Sequence, residues 1–175
     1  MNQSTEIVYV TSKGYQQLQQ QLIHKQQEYA QICQHRQVAF ELSGDGWHDN
    51  PEFNRMQQLE ANLNHTVKKL SERLQHARII EMHDTMRSIQ QVAIGSIVKI
   101  TRYALGDSEQ LSEIWEITGF DETNIGYAQL GYNAPLASAL MGLQVGDFVE
   151  DLQLGSRVWE IEVVKLYPNR KAAGM

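Results

Sequence analysis

From Thr11 to about Ser43 the chain is rich in Gln, poor in Gly and free of Pro, and its apolar or aromatic residues recur at Tyr15, Leu18, Leu22, Tyr29 and Ile32. Steps of three, four and seven residues are those of a coiled-coil seam, with Lys25 interrupting between Leu22 and Tyr29. Thr11 is the predicted helix cap. A second run begins after Pro51 and carries Met56, Leu59, Leu63, Val67, Leu70, Leu74 and Ala77 at similar spacing. Between the two runs, Ser43 to Asn50 holds Gly44 and Gly46 among short polar residues, which reverse a chain more readily than they continue a helix. The pattern predicts an antiparallel helical hairpin. Arms of roughly 30 residues at 1.5 Å per residue would extend about 45 Å.

Beyond His83 the period shortens. Residues 95–101, 113–118, 146–150 and 156–163 are β-rich, and the second and fourth of these alternate apolar with polar, as strands with one buried face do. Pro135 to Met141, closed by Gly142, predicts one short helix with Pro135 in its first turn. The predicted class is α+β, with a coiled-coil hairpin over 1–82 and a small α+β domain over 83–175. The expected linker is about Glu81 to Gln91, and Pro168 to Met175 is expected to fray.

Composition narrows the function. The 175 residues are 42% hydrophobic and 21% charged, with 15 Lys and Arg against 21 Asp and Glu, for a formal charge of -6. That excludes a uniformly basic, autonomous nucleic-acid binder and a wholly disordered chain. Cys33, the single cysteine, cannot make an internal disulfide or a multi-cysteine zinc site and reads as a seam or flank residue. No secretory signal or eighteen-residue apolar run is evident, so a cytoplasmic protein without a membrane partner is expected, most simply as a monomer.

The candidate chemistry is at the turn, where Asp45, Asp49 and Glu52 fall within eight positions. Carboxylates on a protruding turn can share a hard divalent cation or orient a water, but three on a turn supply too few ligands to hold Mg²⁺ alone. The same residues also read as a helix start, with Asn50 as N-cap, Pro51 at the first helical position and Glu52 in the first turn.

Gly44-Asp45-Gly46-Trp47-His48-Asp49-Asn50-Pro51-Glu52-Phe53 resembles the tip motif of the bacterial GreA/GreB transcript cleavage factors, Gly-Asp-(Leu or Arg)-Ser-Glu-Asn-Ala-(Glu or Asp)-Tyr. Thr11-Ser12-Lys13-Gly14-Tyr15-Gln16-Gln17-Leu18 resembles that family's opening Thr-x-x-Gly-(Tyr or Phe)-x-x-Leu. Ile94 to Val98 resembles its first C-terminal strand, and Ala134 to Asp147 its Ser-Pro-(Leu or Ile)-(Ala or Gly)-x-Ala-Leu segment, which runs on to Gly-Asp. Together these cover nearly the whole chain.

The resemblance implies an FK506-binding-protein-like C-terminal domain that docks on RNA polymerase and a coiled-coil tip that enters the secondary channel. There the tip acids help hold a second Mg²⁺ and a water in the polymerase active site, and backtracked RNA is cleaved at its 3′ end. On that reading the factor is not itself an enzyme. Asp45 and Asp49 take the catalytic and metal-sharing roles, Glu52 and Arg55 flank them, and Lys68, Lys69 and Arg73, with Arg78 nearby, are candidate phosphate contacts to nascent RNA. Here Gly44 to Phe53 is ten residues where the family has nine, and Asp49 replaces a Glu. A regulator that occupies the channel without efficient cleavage is therefore the alternative. Trp47 and His48 are candidates for stacking and proton transfer, or for packing of the turn.

Overall fold

The computed structural model describes residues 7–82, 87–104 and 110–175, without the side chains of Asp45, Trp47 and His48. Its α-carbon packing separates two units, Tyr15–Arg78 together with Val8, and Tyr9–Gly14 together with Ile79–Met175. The protein is α+β, as predicted.

The first unit is the helical hairpin. Helix α1 (Ser12–Ser43) and helix α2 (Pro51–Gln75) run antiparallel, as Arg36 meets Glu60 and Phe40 meets Phe53 at 5.9 Å between ring centroids. A strict heptad step from Tyr15 passes through Leu18, Leu22, Lys25, Tyr29, Ile32, Arg36 and Ala39, and every one of these is at least half-buried. On α2 the matching positions are Phe53, Met56, Glu60, Leu63, Val67, Leu70 and Leu74. Leu59, which apolarity alone assigns to the seam, is 36% exposed, and Glu60 takes its place beside Arg36. The seam therefore holds an ion pair at a position where counting hydrophobic residues finds none.

The second unit is a five-stranded sheet in the order β5-β4-β3-β7-β6, built from β3 (Ile97–Ala104), β4 (Gln110–Thr118), β5 (Gln129–Gly131), β6 (Phe148–Leu154) and β7 (Arg157–Tyr167). All pairings are antiparallel except β4 with β5. Helix α3 (Pro135–Leu140) sinks Leu136, Ala137 and Leu140 into a core with Val98, Ile100, Ile117, Ile161 and Val163. On β7 the buried positions run Trp159, Ile161, Val163 and then Leu166, a step of three that matches the bulge opposite Lys99 and Ile100. An extra residue there turns the alternation over, which is why a simple period of two ends at Val163.

Three short strands lie outside the sequence-based elements: β5, and the pair β1 (Val8–Val10) and β2 (Ala77–Ile79). At three residues each they offer too few positions for alternation to show. Ala77, read as helical, falls in β2 because α2 ends at Gln75, with His76 as its C-cap closing the last helical bond to Glu72 C=O at 3.1 Å.

Two further expectations are corrected. The end of the chain is ordered, with helix α4 (Arg170–Ala173) capped by the Asn169 side chain, which accepts from Ala172 N–H at 2.8 Å, and Arg170 ion-paired to Glu116. The expected linker 81–91 is only partly a connector. Residues 83–86 lie outside the described residues, but the Arg87 side chain is only 5% exposed and donates to Gly95 C=O at 2.6 Å. No described helix is long and apolar enough to cross a membrane.

Candidate functional site

The turn between the helices is a short 3-10 segment, Gly44–Asp49, entered through Gly44 at φ +53°. A left-handed residue at that point stops α1 without strain only if it lacks a Cβ. Asn50 then caps α2, its Oδ1 accepting from Glu52 N–H at 2.9 Å and Phe53 N–H at 3.4 Å, and Pro51 fills the first helical position. The same side chain reaches back across the turn. Its Nδ2 donates to Ala39 C=O at 3.2 Å and to Ser43 Oγ, while Ser43 Oγ itself donates to Ala39 C=O.

Asp45 and Asp49 are both on this turn, and Asp49 is exposed. The side chains of Asp45, Trp47 and His48, with the roles expected of them, lie outside those described. Glu52 is exposed in the first turn of α2 with Arg55 at 4.0 Å, a loose surface pair. Among the described residues no three His, Cys, Asp or Glu side chains converge as a metal site. An ion bound through Asp49 would have to draw most of its ligands from elsewhere.

Lys68 and Lys69 are exposed on α2, and Arg73 is half-buried in its last turn. At 1.5 Å per residue they begin about 26 Å along the helix from Pro51, too far to act on the same atoms as the turn. Arg78 is exposed on β2. Cys33 is half-buried beside the seam.

Two sites in the second unit escape a sequence reading. The first explains the Thr-x-x-Gly opening. Thr11 caps α1 by accepting from Gly14 N–H at 3.1 Å, and Glu122 receives the Thr11 N–H and hydroxyl, each at 2.7 Å. A Cβ at Gly14 would fall 1.9 Å from Glu122 Oε1, and one at Gly119 2.3 Å from the same atom. Both glycines are needed to let that carboxylate approach the backbone. Gly14 was visible in the sequence as part of the opening motif; Gly119 and the acid both glycines serve, more than 100 positions from Thr11, were not.

The second is Glu116, 2% exposed, with Arg87 Nη1 at 2.7 Å, Arg170 Nη2 at 2.6 Å and Gln129 Nε2 at 2.9 Å. Burial pushes its carboxyl up, but hydrogen bonds from Arg170 and Gln129 and the charges of Arg87 and Arg170 bring it below the ordinary value. A buried acid with two arginines is a stabilising lock, since all its oxygens are occupied.

Residues 87–167, spanning most of the sheet unit, match the family profile "Transcription elongation factor, GreA/GreB, C-term". The match extends over the hairpin in whole-chain relatives: the transcription elongation factor GreA of Nautilia profundicola is 29% identical over 161 residues, covering 89% of this chain and 92% of that relative. Over most of its length, then, the sheet unit is similar to the C-terminal domain of GreA/GreB elongation factors. The GreA of Mycoplasma genitalium is 24% identical over 143 residues, covering 79% of this chain and 83% of its own length. Among solved structures, the GreA factor homolog 1 of Thermus thermophilus covers 93% of this chain and is covered to 99%, at 24% identity and a TM-score of 0.43. The acidic turn at the end of the hairpin lies outside the 87–167 match.

Proposed function

We propose that the protein acts on RNA polymerase, entering the secondary channel with the hairpin turn and stimulating cleavage of backtracked RNA. The observation that carries this reading is an acidic turn, with Asp49 exposed, at the end of a helical hairpin in a chain whose sheet unit matches the GreA/GreB C-terminal profile. In cleavage a water attacks the scissile phosphodiester, and hydrolysis leaves a 3′-hydroxyl on the shortened RNA and a 5′-phosphate on the released fragment. A Mg²⁺ held jointly by polymerase and the turn would lower the pKa of that water and offset charge on the phosphate. Asp45 and Asp49 supply carboxylate oxygens and orient the water. Glu52 and Arg55 shape the field at the edge of the turn, and Lys68, Lys69 and Arg73 offer phosphate contacts to the nascent RNA. The chemistry belongs to the polymerase; this chain contributes ligands and position.

The longer turn and the Asp49 in place of Glu favour a second reading, a channel-occupying regulator with little cleavage. One assay separates them. Stalled elongation complexes are incubated with the protein and Mg²⁺, and RNA 3′ ends are followed by gel. The proposal expects shortening that falls by about 10²-fold or more in Asp45→Ala with Asp49→Ala, as loss of transition-state ligands does. An unchanged rate in the double variant overturns the catalytic assignment. Slowed nucleotide addition without shortening selects the regulator, and failure to bind polymerase would leave only a hairpin adaptor.

A further inference from the structure

We infer that Asn50 is a positioning residue for the turn, through its side-chain amide rather than its capping oxygen, an inference that rests on the cleavage reading above. Helix capping requires one acceptor, and Oδ1 meets that need with Glu52 and Phe53 N–H. The Nδ2 group does something a cap does not: it bonds Ala39 C=O and Ser43 Oγ, on the last turn of the opposite helix. The amide orientation is fixed by its partners, since exchanging O and N would set two donors against backbone N–H groups and an oxygen against a carbonyl.

The consequence is a closed loop. Ser43 and Asn50 are hydrogen-bonded, and the six residues between them, Gly44–Asp49, are the ones that carry both candidate acids. Gly44 and Gly46 otherwise leave this segment with more backbone freedom than any other part of the hairpin. Asp49 is covalently adjacent to the clasp, so its main chain moves only as Asn50 moves. Carboxylates that must share an ion with a second protein tolerate displacements of only about half an ångström, and a clasp across the base of the loop supplies that constraint.

The test uses the full chain. Asn50→Ser keeps a good N-cap oxygen but is too short to reach Ala39 and Ser43, and Ser43→Ala removes one partner without touching the cap. Amide hydrogen exchange at residues 44–50 of the free protein is expected to quicken by about tenfold in Asn50→Ser, and less in Ser43→Ala, with helix content by circular dichroism unchanged. In elongation complexes at saturating factor, the cleavage rate is expected to fall by about 10- to 100-fold while the half-saturating concentration stays within about twofold. Unchanged exchange overturns the clasp. Quicker exchange with an unchanged cleavage plateau, or a shift confined to half-saturation, overturns the positioning role while leaving the cleavage reading intact. No cleavage by the unsubstituted protein overturns that reading, and the reaction role with it.

Discussion

Gly14 and Glu116 show two ways in which one residue governs this molecule. Gly14 is a vacancy that Glu122 occupies. Gly14→Ala puts a methyl group 1.9 Å from the carboxylate, which must leave the Thr11 N–H and hydroxyl to make room. The expected cost is about 1–3 kcal/mol, read from denaturant unfolding of the second unit through Trp115 and Trp159. Glu116 is a charge that two arginines hold in place. Its carboxyl lies below the ordinary value of 4.5 in the folded protein, so its contribution is complete above that value and is lost as pH falls through the lower folded one. Stability of the second unit should therefore decline below about pH 4.5, and Glu116→Gln should flatten that decline. The substitution also removes the carboxylate that faces buried Arg87, costing about 3–5 kcal/mol at neutral pH. Melting curves across pH 3 to 7 check both effects, and a Gln variant that keeps the acid sensitivity would show that other carboxylates carry it.

Among the elements, the hairpin was the most legible and also hid the most informative pair. Seven-residue spacing located both helices and the turn, with α1 ending at Ser43 as read and α2 beginning at Pro51. Hydrophobicity could not place Arg36 and Glu60 in the seam, because charged residues there look like interruptions until the partner helix is present. Their side chains are 37% and 21% exposed, so the pair is partly screened. Replacing Glu60 alone by Leu is expected to lower the hairpin melting temperature by leaving Arg36 without its carboxylate, a loss on the order of 1 kcal/mol. Replacing both by Leu should raise it above the unsubstituted value, because seam positions reward apolar packing. Far-ultraviolet circular dichroism during heating decides the order of the three. In the sheet, the long strands declared themselves by alternation, while β1, β2 and β5 stayed below the length at which a period is visible. The chain end, Pro168 to Met175, was read as frayed because terminal residues usually are; only the fold shows that Glu116 lies within reach of Arg170.

Over the whole molecule, the net charge of -6 is unevenly held. Residues 1–82 carry 8 basic and 9 acidic side chains and 83–175 carry 7 and 12, net -1 and -5. The candidate acids are thus a few charges on a nearly neutral hairpin, which is why composition excluded autonomous nucleic-acid binding without locating a site. What the sequence could not reveal was where one unit ends. Tyr9–Gly14 precedes the hairpin in the chain but packs with Ile79–Met175, through Phe120 N–H to Tyr9 C=O, Ile80 N–H to Val10 C=O, each at 2.8 Å, and the Glu122 clasp on Thr11. The sheet unit is therefore discontinuous in sequence. Severing the chain after Arg78 would not release it intact: Val10, almost wholly buried, would depart with the other piece, taking Thr11 and Gly14 with it and leaving Glu122 beside Gly119 without the groups it binds. To obtain that half as a self-sufficient protein, one would have to splice the Tyr9–Gly14 segment back on by circular permutation.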